Sequence, residues 1–74
     1  MDVQRLVAMA NDIAAFFDAE SGNAAPEGVR NHLSKFWEPR MRREIIEHLR
    51  KGGEGLCPTA SAAIEKLAAD PSVS

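Results

Sequence analysis

Phe36-Trp37-Glu38-Pro39-Arg40-Met41-Arg42-Arg43 holds the chain's single tryptophan, a central proline and three arginines within four positions. Proline disfavours helical geometry at the residue before it, lacks the N–H a helix interior needs, and suits the first turn of a new helix. Pro39 therefore ends one helix near Trp37 and begins another, so the stretch is a corner between two helices. Upstream, Val29, Leu33 and Phe36/Trp37 recur at helical spacing; downstream, Met41, Ile45/Ile46, His48 and Leu49 do the same. Pro26 followed by Glu27 opens the upstream helix. Arg50 and Lys51 sit in the last turn of the downstream one, where cations are favoured.

Outward from the corner, both ends of the chain are also helical in pattern. Leu6, Met9/Ala10, Ile13 and Phe16/Phe17 form one stripe in an alanine-rich run free of proline and glycine, and Ser21-Gly22-Asn23 stops it. After Lys51, Gly52-Gly53-Glu54-Gly55 is a helix stop and turn. Thr59 to Ala69 then reads as a last helix behind Pro58, with Ala60, Ala63/Ile64 and Leu67 inward, and Asp70-Pro71 ends it. The expectation is an all-α, single-domain bundle over 1–74, with helices at about 2–20, 26–37, 39–51 and 58–69 and a frayed tail at 71–74. Its core is expected around Phe16, Phe17, Leu33, Phe36, Ile45, Leu49 and Leu67.

A chain of 74 residues buries too little surface for its core alone to give more than a few kcal/mol of stability. Small domains add disulfides, a metal or a partner. Cys57 is the single cysteine, so no intrachain disulfide forms, and with His32 and His48 it falls short of a structural zinc set. A partner subunit is the remaining source of stability, and self-association of the isolated chain is a further possibility. The first residues carry Asp2 and Arg5 and no apolar run long enough for a signal peptide or membrane span, which with the unpaired thiol points to the cytoplasm.

The net charge of −2 is unevenly spread. Residues 1–29 carry one base against five acids, residues 30–51 seven bases against three acids, and residues 52–74 one base against three acids. A local basic block in an otherwise acidic chain argues against wholesale nucleic-acid binding and for a local anionic contact.

Few residues offer chemistry. Cys57 with a histidine would be a nucleophile–base pair, but nothing in the sequence orients the histidine or supplies an oxyanion hole. His32 and His48 stand on different helices, without the three- or four-residue spacing of a one-helix metal pair. The glycine-rich turn lacks the lysine and hydroxyl residue of a phosphate loop and has no strand before it. The arginine cluster has two readings. It is a solvated face with Arg40–Glu44 and Arg43–Glu47 pairs worth tenths of a kcal/mol, or it is a docking surface, because arginine is favoured in interfaces. Trp37 likewise is a core plug or part of an interface.

Three blocks resemble the delta subunit of the cytoplasmic NAD-dependent, molybdenum- or tungsten-containing formate dehydrogenases. They are Arg5 to Phe17, the distinctive His32-Leu33-Ser34-Lys35-Phe36-Trp37-Glu38-Pro39-Arg40-Met41-Arg42, and Gly52 to Pro58 followed by Ala62 to Leu67. Cys57 departs from the serine or other small residue expected there. The resemblance implies a helical accessory subunit with no active site and no cofactor of its own. It would join a large alpha subunit carrying molybdopterin with molybdenum or tungsten and iron–sulfur clusters, in a complex whose beta and gamma subunits pass electrons to flavin (FMN) and NAD. Its role would be assembly or stability of that catalytic subunit, with Phe36, Trp37, Pro39, Arg40, Met41, Arg42 and Arg43 as the contact. An alternative is a chaperone acting transiently in molybdopterin insertion; a small helix-turn-helix nucleic-acid binder is opposed by the acidic flanks.

Overall fold

The computed structural model describes residues 2–70. Its order is α1 (Val3–Ser21), a 3-10 turn (Gly22–Ala24), α2 (Ala25–Phe36), α3 (Pro39–Arg50) and α4 (Pro58–Ala69). The expected tail at 71–74 lies outside the described residues. The all-α bundle is thus the fold, and among the described residues there is no strand. No helix among the described residues is long and apolar enough to cross a membrane.

Each helix begins for a local reason. Asp2 caps α1 by accepting the Gln4 N–H at 3.2 Å. The other three open with proline in the first turn and have no side-chain cap. α3 ends in two nested bonds: Gly53 N–H donates to His48 O at 3.0 Å and Gly52 N–H to Leu49 O at 3.0 Å. This closure needs the left-handed backbone that Gly52 and Gly53 supply, at φ 123° and 65°.

α2 and α4 form the most extensive interface; α1 lies across both, and α3 packs on α4 and α1. The inward residues form ladders of every fourth position. In α1 these are Leu6, Ala10 and Ala14; from α2 into the corner they are Ala25, Val29, Leu33 and Trp37. Ile45 and Ile46 of α3 and Ala60, Ala63, Ile64 and Leu67 of α4 complete the core. Five fully buried alanines let the helices approach closely, so the core is thinner than one built on phenylalanine.

That thinness corrects part of the expected core. Phe16 and Phe36 are 59% and 70% exposed, and Phe17 and Leu49 only pack against the core from its edge. Leu33, Ile45 and Leu67 lie inside as expected. Successive helical residues point about 100° apart, so a position two on from a ladder residue, as Phe16 is from Ala14, points away from the core. In α1 the face is already filled by the Leu6–Ala10–Ala14 ladder, which turns Phe16 outward. At the corner, Trp37 continues the α2 ladder and is 5% exposed, which leaves Phe36 outside.

Side chains tie the layers together. Asn11 on α1 donates from Nδ2 to Gly55 O at 2.8 Å and accepts the Cys57 N–H on Oδ1 at 2.9 Å. It thereby holds both the glycine turn and the start of α4. His48 Nε2 lies 2.8 Å from Glu54 O and closes the same turn from α3. Thr59 Oγ1 donates to Asp18 Oδ1 at 2.6 Å, joining α4 to α1.

Arg30 bridges Glu27, one turn away on α2, and Asp70 beyond the end of α4, 3.1 Å away. Lys66 reaches Glu27 at 3.7 Å. The Arg30 guanidinium, hydrogen-bonded to the Glu27 carboxylate, holds that carboxyl below the usual glutamate range, and Lys66 adds to the effect. The same bond raises the Arg30 guanidinium above its ordinary value.

Candidate protein-docking surface

The corner residues divide by side. Phe36, Pro39, Arg40 and Arg43 are exposed; Trp37 is buried; Met41 and Arg42 are half-buried, with Met41 packed against the core. Two extended residues, Trp37 and Glu38, make the turn, with ψ of 139° and 154°. For Glu38 this is the geometry that the following proline favours. So short a connection leaves the last α2 carbonyls without helical partners. Arg42 supplies one: its Nη1 donates to Trp37 O and, at 3.4 Å, to Ser34 O.

Arg42 therefore has a folding role, contrary to the reading of the whole arginine cluster as a partner-seeking surface. Arg30, from the same basic block, is likewise used internally. The expected Arg40–Glu44 and Arg43–Glu47 pairs do not close; Glu47 instead lies 3.9 Å from Arg50. Among the described residues, Lys35, Arg40 and Arg43 join no ion pair. The outward part of the basic block thus includes four exposed cations without an ion pair among the described residues, Lys35, Arg40 and Arg43 near the corner and Lys51 at the end of α3.

Phe36 is also one end of an aromatic row. Its ring centroid is 4.8 Å from that of His32; His32 is 6.3 Å from Phe17, and Phe17 is 5.2 Å from Phe16 in an edge-to-face pair. The row crosses from α2 to α1. Gly28 makes the crossing possible: a Cβ there would stand 2.6 Å from Phe17 Cδ1 and 2.8 Å from Cε1. Beside the row, Asp12, Ile13, Phe16, Phe17 and His32 line a shallow groove of about 280 Å³.

Sequence reasoning missed Phe16, Phe17, Ile13 and His32 as a surface. The available signal was two adjacent phenylalanines on a helix whose alanine ladder already formed an inward stripe.

Among the described residues, no three His, Cys, Asp or Glu side chains stand where they could hold a metal ion together. A groove of about 410 Å³ between α1 and the glycine turn is lined by Val3, Gln4, Val7, Asn11, His48 and Glu54 among others, and of its polar side chains Asn11 and His48 are engaged with backbone. Cys57 carries a free thiol, half-buried and packed against the core.

No curated protein and no solved structure matches the chain. The sequence model of the NADH-dependent formate dehydrogenase delta subunit, FdsD, matches residues 5–64, from the start of α1 into α4. That match spans the aromatic row, the proline corner and the glycine turn, and the chain belongs to the FdsD family of formate dehydrogenase delta subunits.

Proposed function

We propose that the chain is a non-catalytic subunit that supports assembly or stability of the molybdopterin-bearing catalytic subunit of formate dehydrogenase by protein–protein contact. Membership of a family of subunits supports a role within a complex. The observation that carries the contact is Phe36, 70% exposed at the corner, followed in the chain by exposed Arg40 and Arg43, which join no ion pair among the described residues. Aromatics and arginines are enriched in interfaces and among the residues that carry most of their binding energy. Molybdopterin with molybdenum or tungsten, iron–sulfur clusters and FMN belong in this reading to the alpha, beta and gamma partners, in the cytoplasm. The chain offers contact rather than chemistry.

Removing the chain from its host tests this. The yield of assembled complex is expected to fall several-fold, while the turnover of each intact complex stays at its normal value. Full assembly without the chain would overturn the role; loss of turnover in a fully assembled complex would make the chain part of the catalytic machinery.

A further inference from the structure

The aromatic row has opposite charges at its two ends. At the Phe16 end stand Asp12, which lines the groove, and Glu20, one helical turn beyond Phe16. At the Phe36 end Lys35 precedes it and Arg40 follows in the first turn of α3, with exposed Glu38 between them, so this end carries two cations against one acid. Asp12, Glu20, Lys35 and Arg40 are all exposed, and none joins an ion pair among the described residues. Internal pairing occurs instead on the Glu27, Arg30, Lys66 and Asp70 side of the molecule. The surface thus has an apolar middle of Ile13, Phe16, Phe17, His32 and Phe36, an acidic end and a basic end.

We infer that this row, and not the corner alone, is the docking face, and that its occupant is a segment of the catalytic subunit. That segment presents apolar side chains to the row, a carboxylate at the Phe36 end and a cation at the Phe16 end. This rests on the subunit reading above and adds the extent of the contact and the orientation of the partner across it. Complementary charge fixes orientation: reversing the segment would set carboxylate against Asp12 and Glu20 and cation against Lys35 and Arg40. Phe16 and Phe36 are the anchors, since both are exposed and would be desolvated together on docking.

The test expresses the tagged full chain in its host with the rest of the complex and measures the large subunit recovered. Three variants are compared with wild type: Phe16→Ala with Phe36→Ala, Asp12→Lys with Glu20→Lys, and Lys35→Glu with Arg40→Glu. The double alanine variant is expected to lose recovery at least tenfold. Each charge-reversed variant should lose it severalfold at low salt, and less at high salt, where exposed charges are screened. Helix content of each isolated variant should match wild type, because every altered residue is exposed.

Wild-type recovery by all three variants would overturn the inference while leaving the subunit reading intact. No recovery by wild type itself would overturn that reading as well. Undiminished recovery together with loss of self-association, read by light scattering, would assign the row to a second copy and overturn the inference.

Discussion

Gly28 stands in the interior of α2, where glycine costs a helix about 1 kcal/mol relative to alanine. What offsets that cost is Phe17, whose ring lies where a Cβ would be. The Gly28→Ala variant is therefore expected to lose about 1 kcal/mol: overpacking costs about 1–3 kcal/mol, and the propensity gain returns only part of it. In a Phe17→Ala background the same change should stabilise by up to about 1 kcal/mol, a reversal of sign that urea unfolding of the four chains would read directly. Asn11 is a second residue whose role is invisible in the pattern. As a half-buried polar residue near an apolar stripe it reads as unremarkable, yet it ties Gly55 and Cys57 to α1 across more than forty residues of chain. Asn11→Ala removes both bonds and should cost about 2 kcal/mol, with faster hydrogen exchange at the Cys57 amide.

Among elements, the corner shows that one residue type serves two purposes. Arg40, Arg42 and Arg43 look equivalent in sequence, but only Arg42 is half-buried and bonded to the carbonyls at the end of α2. Arg42→Ala should lower stability by about 2 kcal/mol, whereas Arg40→Ala and Arg43→Ala should each stay within about 0.5 kcal/mol in the same unfolding measurement.

The α2–α4 ion network is sensitive to acid. Arg30 and Lys66 depress the Glu27 carboxyl, so the stabilisation from that shift is present above the ordinary glutamate pKa of about 4.3 and is lost as pH falls through the lower folded-state value. A thermal-melt comparison of wild type with Glu27→Gln should show a small advantage for wild type at pH 7 that vanishes in strong acid. An advantage that grows on acidification would mean the coupling has the opposite sign.

At the scale of the molecule, the helices and the proline corner were legible because their signals are local. Prolines, glycines and fourfold spacing mark where each helix starts and stops, and the helix ends fall within two residues of expectation. Which side of each helix faces in was less legible. Size drew Phe16 and Phe36 inward in the reading, while the folded chain uses alanines there and puts those rings outside. That exchange follows from helix–helix distance, a property of the assembled bundle that no single helix encodes. The surface was half legible for the same reason: its basic end lies in one continuous stretch, but its acidic end and aromatic middle come together only when α1 crosses α2.

The consequence is a small bundle that keeps large apolar side chains outside, with unpaired charges beside them. On the proposed function, this surface lies against a catalytic subunit. Native mass spectrometry of material purified through a tag on the full chain, expressed in its own host, addresses it most directly. The prediction is that the chain leaves the column bound to a large molybdenum-containing subunit; recovery of the chain only free, or only bound to further copies of itself, would contradict it.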